Sequence, residues 1–135
     1  MFNRIVLILI IIGFIYAQDE QKVVLITGTA YGIGKSTAEL LIDKGHIVYG
    51  GDILVEENLY LNDIGGTALE MDVTNQEHID KAINQIISEQ GRVDVLVNNA
   101  GLGVYGAIED VSMEDIYYQY DAVSYTHLRA HETEA

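Results

Sequence analysis

The sequence predicts an α/β fold built on a doubly wound parallel sheet, and three observations carry that prediction. Short β-branched, apolar runs (Val23 to Thr27, Ile47 to Tyr49, Ala68 to Met71, Val93 to Val97) alternate with stretches of helical period. The first run leads directly into the glycine-rich segment Thr27-Gly28-Thr29-Ala30-Tyr31-Gly32-Ile33-Gly34, and a helical stretch follows it. The last run is almost wholly apolar, as expected of a parallel strand buried on both faces. Right-handed crossovers then give the strand order 3-2-1-4.

Each element has a local reason. The first helix, from Ile33 to Lys44, places Ala38, Leu41 and Ile42 on one face and stops at Gly45. The second strand ends at Gly50-Gly51-Asp52, and Glu56 to Asn62 is a short helix before the Gly65-Gly66 turn. Thr74-Asn75-Gln76-Glu77 has the form of a capping box. Behind it Ile79, Ala82, Ile83, Ile86 and Ile87 recur at helical spacing as far as Gly91. A further helix opens at Ser112-Met113-Glu114-Asp115, with Ile116 and Tyr120 on its inner side.

The glycine segment is the strongest chemical signal. A strand, a tight turn and a helix N-terminus aim unpaired N–H groups and the positive end of the helix dipole at one point. Glycine is needed there because a Cβ would keep a pyrophosphate off the backbone. Asp52, at the end of the second strand, is placed to accept hydrogen bonds from the adenosine ribose hydroxyls. It would repel a 2′-phosphate, and no Lys or Arg lies between Lys44 and Lys81 to pair one, so NAD is expected over NADP. Asp52 also reads as a plain turn residue, and Asp72 as a plain strand-end residue ahead of a helix cap. Asn98 and Asn99, at the end of a buried strand, need polar partners.

The spacing T-G-x-x-x-G-x-G is not the common G-x-G-x-x-G. Together with Asp72-Val73 after the third strand and Asn98-Asn99-Ala100-Gly101 after the fourth, it resembles the short-chain dehydrogenase/reductase family, over about Lys22 to Asp121. The resemblance implies a Rossmann-like fold, here its N-terminal half only, and an oxidoreductase moving a hydride between nicotinamide and an alcohol- or ketone-type substrate. It implies cofactor contacts from Thr27, Gly28, Tyr31, Gly32, Ile33 and Gly34, and from Asp52, Asp72 and Val73. Asn98, Asn99, Ala100 and Gly101 would support the sheet and line the cofactor cleft. The family's Ser and Tyr-x-x-x-Lys belong well beyond Gly101 and are not found there, so no residue is assigned a catalytic role and the fragment is expected to be inactive. Ser124, Tyr125 and Arg129 come too early, and Arg does not replace Lys. A non-catalytic nucleotide-binding or sensing module, or a secreted interaction protein on a degenerate version of this fold, are the alternatives.

The remaining composition bounds the partners. The 135 residues make one domain, and a formal net charge of −14 excludes the basic surface that nucleic acid requires. There is no Cys, hence no disulfide, thiolate metal site or thiol nucleophile. His46 and His78 have no ligand companions, so no metal is expected and both read as surface residues. The Tyr117-Tyr118-Gln119-Tyr120 cluster reads as packing and rim. A small-molecule substrate is expected for the intact parent, which as a member of this family would be a homo-oligomer.

The two ends fall outside the nucleotide fold. Residues 1–17 carry one charge, Arg4, an apolar run from Ile5 to Ile12, and Ala17 before a polar stretch. They are too short to span a bilayer and have the form of a secretory signal peptide. A short membrane anchor, or leader translated upstream of a cytoplasmic protein, are the other readings. Val123 to Thr133 has no apolar period and matches one reading frame of a transposase-type sequencing adapter, so 123–135 is expected to be a non-native tail on a half-domain of residues 22–122.

Overall fold

A computed structural model of the chain describes residues 20–103, 111–120 and 122. The expectations for residues 1–17 and for the tail from 123 onward lie outside the described residues. Four parallel strands, β1 (Val23–Thr27), β2 (Ile47–Asp52), β3 (Thr67–Glu70) and β4 (Val95–Val97), form one sheet in the order β3-β2-β1-β4, as the crossovers dictate. The register pairs Val24 with Val48 and with Val95, and Tyr49 with Thr67. The helices are α1 (Gly32–Asp43), α2 (Val55–Asn58), α3 (Tyr60–Asp63), α4 (Gln76–Gln90) and α5 (Met113–Tyr120).

β1 is buried along its whole length and sorts its side chains onto two faces. Val23 and Leu25 join Tyr49, Leu69, Met71, Ala82 and Ile86 in a core beneath α4. Val24 and Ile26 join Ala38, Val48 and Leu61 in a second core beneath α1 and α3. The predicted faces of α1 and α4 are the ones that pack, except for Ile87, which is exposed at the margin of its stripe. The Tyr49 hydroxyl crosses the first core to donate to Glu89 Oε2 at 2.7 Å and accepts from Gln90 Nε2 at 3.0 Å, so this large ring ends in satisfied polar groups.

Several boundaries differ from the sequence expectation, each for a local reason. The helix expected over Glu56 to Asn62 is two short pieces, joined where the Leu59 N–H reaches back only three residues to the Glu56 carbonyl. That tightening lets Asn58 and Leu61 both turn inward to full burial. The cap of α4 is Asn75, whose side chain accepts from the Glu77 N–H at 2.9 Å, and not Thr74, whose N–H and hydroxyl are committed to Asp72 Oδ1. β4 starts at Val95 because Asp94 uses its side chain on β1, accepting from the Val23 N–H at 2.7 Å while its own N–H donates to the Val23 carbonyl.

β4 is also not buried on both faces. Among the described strands it pairs with β1 alone, and Val95 and Leu96 are 40% and 39% exposed. Likewise Ile116 and Tyr120 of α5 are exposed, and α5 buries none of its residues, contrary to the inner face expected for them. His46 and His78 are half-buried and each accepts a backbone hydrogen bond through Nδ1, from Lys22 and Asp72 respectively.

The β1–β4 closure titrates in acid. The Val23 N–H, and then the Arg92 guanidinium, hold the Asp94 carboxyl below its ordinary value of 3.8. A depressed folded value gives stability that is complete above the unfolded pKa and is lost as the pH falls through the folded one. Urea denaturation from pH 6 down to pH 2 is therefore expected to show the stability difference between the unsubstituted chain and Asp94→Asn shrinking only below about pH 4. A difference independent of pH over that range would contradict this assignment.

Candidate functional site

The carboxyl ends of the strands open onto a cleft of about 320 Å³. Its wall takes Gly28 and Tyr31 from the glycine loop, Asp52 from β2, Asp72 and Val73 from beyond β3, and Asn99, Ala100 and Gly101 from beyond β4. Eight of the thirteen residues singled out in the sequence are thus brought together in one wall. Thr27, Gly32, Ile33, Gly34 and Asn98 are not in it. Thr27 and Gly34 are buried behind the cleft, Gly32 and Ile33 are exposed at the start of α1, and Asn98 is half-buried.

Gly28 turns the chain from β1 toward α1 at φ +75°, where an L side chain is strained, and a Cβ there would meet the Ala100 Cα at 2.8 Å. Gly34, in the first turn of α1, lies so close that a Cβ would run into the Gly28 carbonyl oxygen and the Asn99 amide. The loop is suspended between neighbouring strands. Gly28 N–H donates to Gly51 O at 2.7 Å, and Asn99 Nδ2 donates to both Thr27 O at 3.0 Å and Gly28 O at 2.9 Å. The Thr27 hydroxyl accepts from the N–H groups of Asn99 and Ala100 at 3.1 and 3.0 Å, which locks the end of β4 to the end of β1.

The start of α1 is left open. Its N-cap, Tyr31, makes no side-chain capping bond, and no acidic residue occupies the first turn. Its orphan N–H groups therefore lack the side-chain acceptor that most helices supply. A Cβ on Gly32, at φ +60°, would meet nothing within 4 Å, so the space before this turn is open.

Asp52 is half-buried and fixed by backbone donors: Ala30 N–H to Oδ2 and Leu54 N–H to Oδ1, both at 2.9 Å. This ties the rim of β2 to the glycine loop and leaves each oxygen further acceptor capacity. Asp72 forms a tight turn with Thr74 through Oδ1, donated to by the Thr74 N–H at 2.8 Å and the hydroxyl at 2.7 Å, and so presents Val73 to the cleft.

Some residues of the site had no clear sequence signal. Met71 and Tyr118 line the cleft, Tyr118 from an exposed position at its rim like its exposed neighbours Tyr117 and Tyr120. A tyrosine four residues ahead of a lysine also occurs at Tyr31 and Lys35, across the end of the glycine loop and the start of α1. It is not a proton-transferring pair here: the Lys35 ammonium stands 4.3 Å from the centroid of the Tyr60 ring. The load on Asn99 is measurable. Asn99→Ala strips the Thr27 and Gly28 carbonyls of their donor and is expected to cost about 1–3 kcal/mol in chemical denaturation at pH 7, while an unchanged midpoint would show that the loop is held without it.

Comparison with known proteins agrees with this geometry. Residues 22–127 match the family model of the short chain dehydrogenases. The 3-ketodihydrosphingosine reductase of Bacteroides thetaiotaomicron is 46% identical over 101 residues, which cover 74% of this chain and 36% of that protein. Cyclopentanol dehydrogenase of Comamonas testosteroni is 39% identical over 102 residues, 71% of this chain and 41% of that protein. Among solved structures, a short chain dehydrogenase from Bacillus anthracis superposes with a TM-score of 0.78 at 29% identity, covering 83% of this chain and 49% of that one. A 3-ketoacyl-(acyl-carrier-protein) reductase from Brucella melitensis, solved in complex with NADH, gives 0.74 at 29% identity, covering 81% and 48%. The chain thus spans less than half the length of each of these relatives. Its sheet order, its glycine loop and its match over residues 22–127 all agree: the chain belongs to the short-chain dehydrogenase/reductase family, in the N-terminal portion of that fold.

Proposed function

We propose that the chain is the cofactor-binding portion of an NAD-dependent oxidoreductase acting on an alcohol–ketone pair. The observation that carries this reading is the open start of α1 beside the clamped glycine loop, with a carboxylate at the end of the next strand. The residues present fit a dinucleotide. N–H groups at the start of α1 would receive the diphosphate, and Asp52 would accept from the ribose hydroxyls. Asp72 and Val73 would flank the adenine, and Asn99, Ala100 and Gly101 would line the path toward the nicotinamide. When bound, the nicotinamide supplies the hydride acceptor or donor. Asp52 disfavours a 2′-phosphate, so NAD is preferred over NADP.

The alcohol–ketone assignment is supported by the relatives, whose names describe ketone reduction and alcohol oxidation. Small-molecule substrate and homo-oligomeric assembly are proposed for the intact parent. Among the described residues no helix is long and apolar enough to cross a membrane. If residues 1–17 are a signal peptide the protein is exported, and otherwise it is cytoplasmic; N-terminal sequencing of the expressed chain tests this. Gln18 as the new terminus is the expected result, and Met1 on a soluble product would exclude cleavage.

Cofactor choice is the sharper test. Asp52→Ala is expected to weaken NAD binding by about 1.5–3 kcal/mol, the worth of hydrogen bonds to a charged group, when measured by calorimetry. In the intact parent, kinetics with NADP(H) equal to or better than those with NAD(H) would overturn the assignment.

A further inference from the structure

Two residues outside the glycine motif hold its loop from behind. Asn58, the last residue of α2, is wholly buried. Its Oδ1 accepts from the Thr29 hydroxyl at 2.7 Å, while Nδ2 donates to Gly50 O at 2.8 Å and Leu69 O at 3.4 Å. Tyr60, the first residue of α3, donates its hydroxyl to the Thr29 carbonyl at 3.0 Å. Thr29 is itself wholly buried and so is gripped by both side chain and backbone, between Gly28 and the start of α1. The grip is close: a Cβ on Gly50 would run into the Thr29 hydroxyl and Leu61.

The tyrosine is kept a donor and kept in place. Burial pushes its phenol up to about 12, with the charges of Glu39 and Asp52 adding to the effect, so the proton stays on near neutral pH. The Lys35 ammonium over its ring fixes the ring's orientation. None of this lies in the glycine motif, and none of these side chains lines the cleft except Asp52.

We infer that Asn58 and Tyr60 are positioning residues for the cofactor's diphosphate: by gripping Thr29 they hold the glycine loop with the N–H groups at the start of α1 converging on one point. This rests on the nucleotide reading proposed above. A loop rich in glycine and small residues has many conformations to lose, and ordering it in advance spares the ligand that cost. The adenosine end of the site, at Asp52 and Val73, touches this loop through one bond, Ala30 N–H to Asp52 Oδ2, and makes no use of the N–H groups at the start of α1. A positioning role therefore costs a ligand that carries the diphosphate more than one that lacks it.

The experiment is calorimetric titration of the 135-residue chain with NAD and, separately, with adenosine. For Tyr60→Phe, which keeps the ring and removes one hydrogen bond, NAD affinity is expected to fall about fivefold, the worth of one neutral hydrogen bond, with a clearly smaller fall for adenosine. Thr29→Val, which removes the hydroxyl from Asn58, is expected to lose more, and Thr29→Ser to restore NAD binding. Should Thr29→Val fail to fold, Tyr60→Phe decides. Equal losses for NAD and adenosine would overturn the inference by assigning these residues to the fold alone. Undiminished NAD binding in Tyr60→Phe, with the unsubstituted chain binding NAD, would overturn it and leave the nucleotide reading standing. If the unsubstituted chain binds no NAD, the nucleotide reading falls and this inference with it.

Discussion

Asn99 donates to two consecutive carbonyls, those of Thr27 and Gly28, at the point where β1 gives way to the glycine loop. Carbonyls leaving a strand must find donors, and here a single amide on the neighbouring strand end supplies both. The consequences spread outward. Because Asn99 holds Gly28, the Gly28 carbonyl lies against Gly34, and the first turn of α1 can approach only because Gly34 has no side chain. Because α1 starts so close, its open N-terminus stands beside the ends of β1 and β4. The Thr27 hydroxyl closes the same junction from the other side by accepting from Asn99 and Ala100. Cleft, helix and strand ends are thus one construction, and its tolerance is set by backbone contacts that admit no added methyl.

How much of this is legible in the sequence depends on whether a residue acts through a period or through a single contact. The strand order follows from right-handed crossovers between the strand and helix signals, and the packing faces of α1 and α4 from a helical spacing that many residues repeat and no one residue can spoil. The glycine loop was legible because glycine is chosen for steric reasons that are independent of context. Asn58 and Tyr60 were not legible. They sit in one-turn helices with no period of their own, and an Asn three places after Val55 reads as surface until Gly50 and Leu69 are known to present carbonyls to it. Thr74 was misread as a cap because the capping-box pattern ignores competitors: Asp72 takes both Thr74 donors, and Asn75 takes over the helix.

β4 and α5 failed in another way. An apolar strand predicts two covered faces, but coverage belongs to the neighbours and not to the strand. With β1 alone beside it among the described strands, β4 leaves Val95 and Leu96 substantially exposed. The same holds for Ile116 and Tyr120, whose spacing marks a face without supplying what would cover it. Periodicity states which residues would go inside together; whether an inside exists is a property of the packing.

Charge gives the last constraint. The chain carries a net −14, yet the first turn of α1 has no acidic residue, and the carboxylates of the cleft wall, Asp52 and Asp72, are occupied by local N–H and hydroxyl donors. The nearby cation, Lys35, stands over the Tyr60 ring and does not line the cleft. On the nucleotide reading, and among the described residues, attraction for the diphosphate at this turn comes from backbone dipoles and not from a lysine or arginine. Dipolar attraction falls off within the first turn, whereas a side-chain cation can reach and adjust. An anion site made of backbone alone works only if the backbone is already in place. On that reading, in a strongly acidic protein the rigidity supplied by Asn99, Thr27 and the residues behind Thr29 would take over the part that positive side chains play elsewhere.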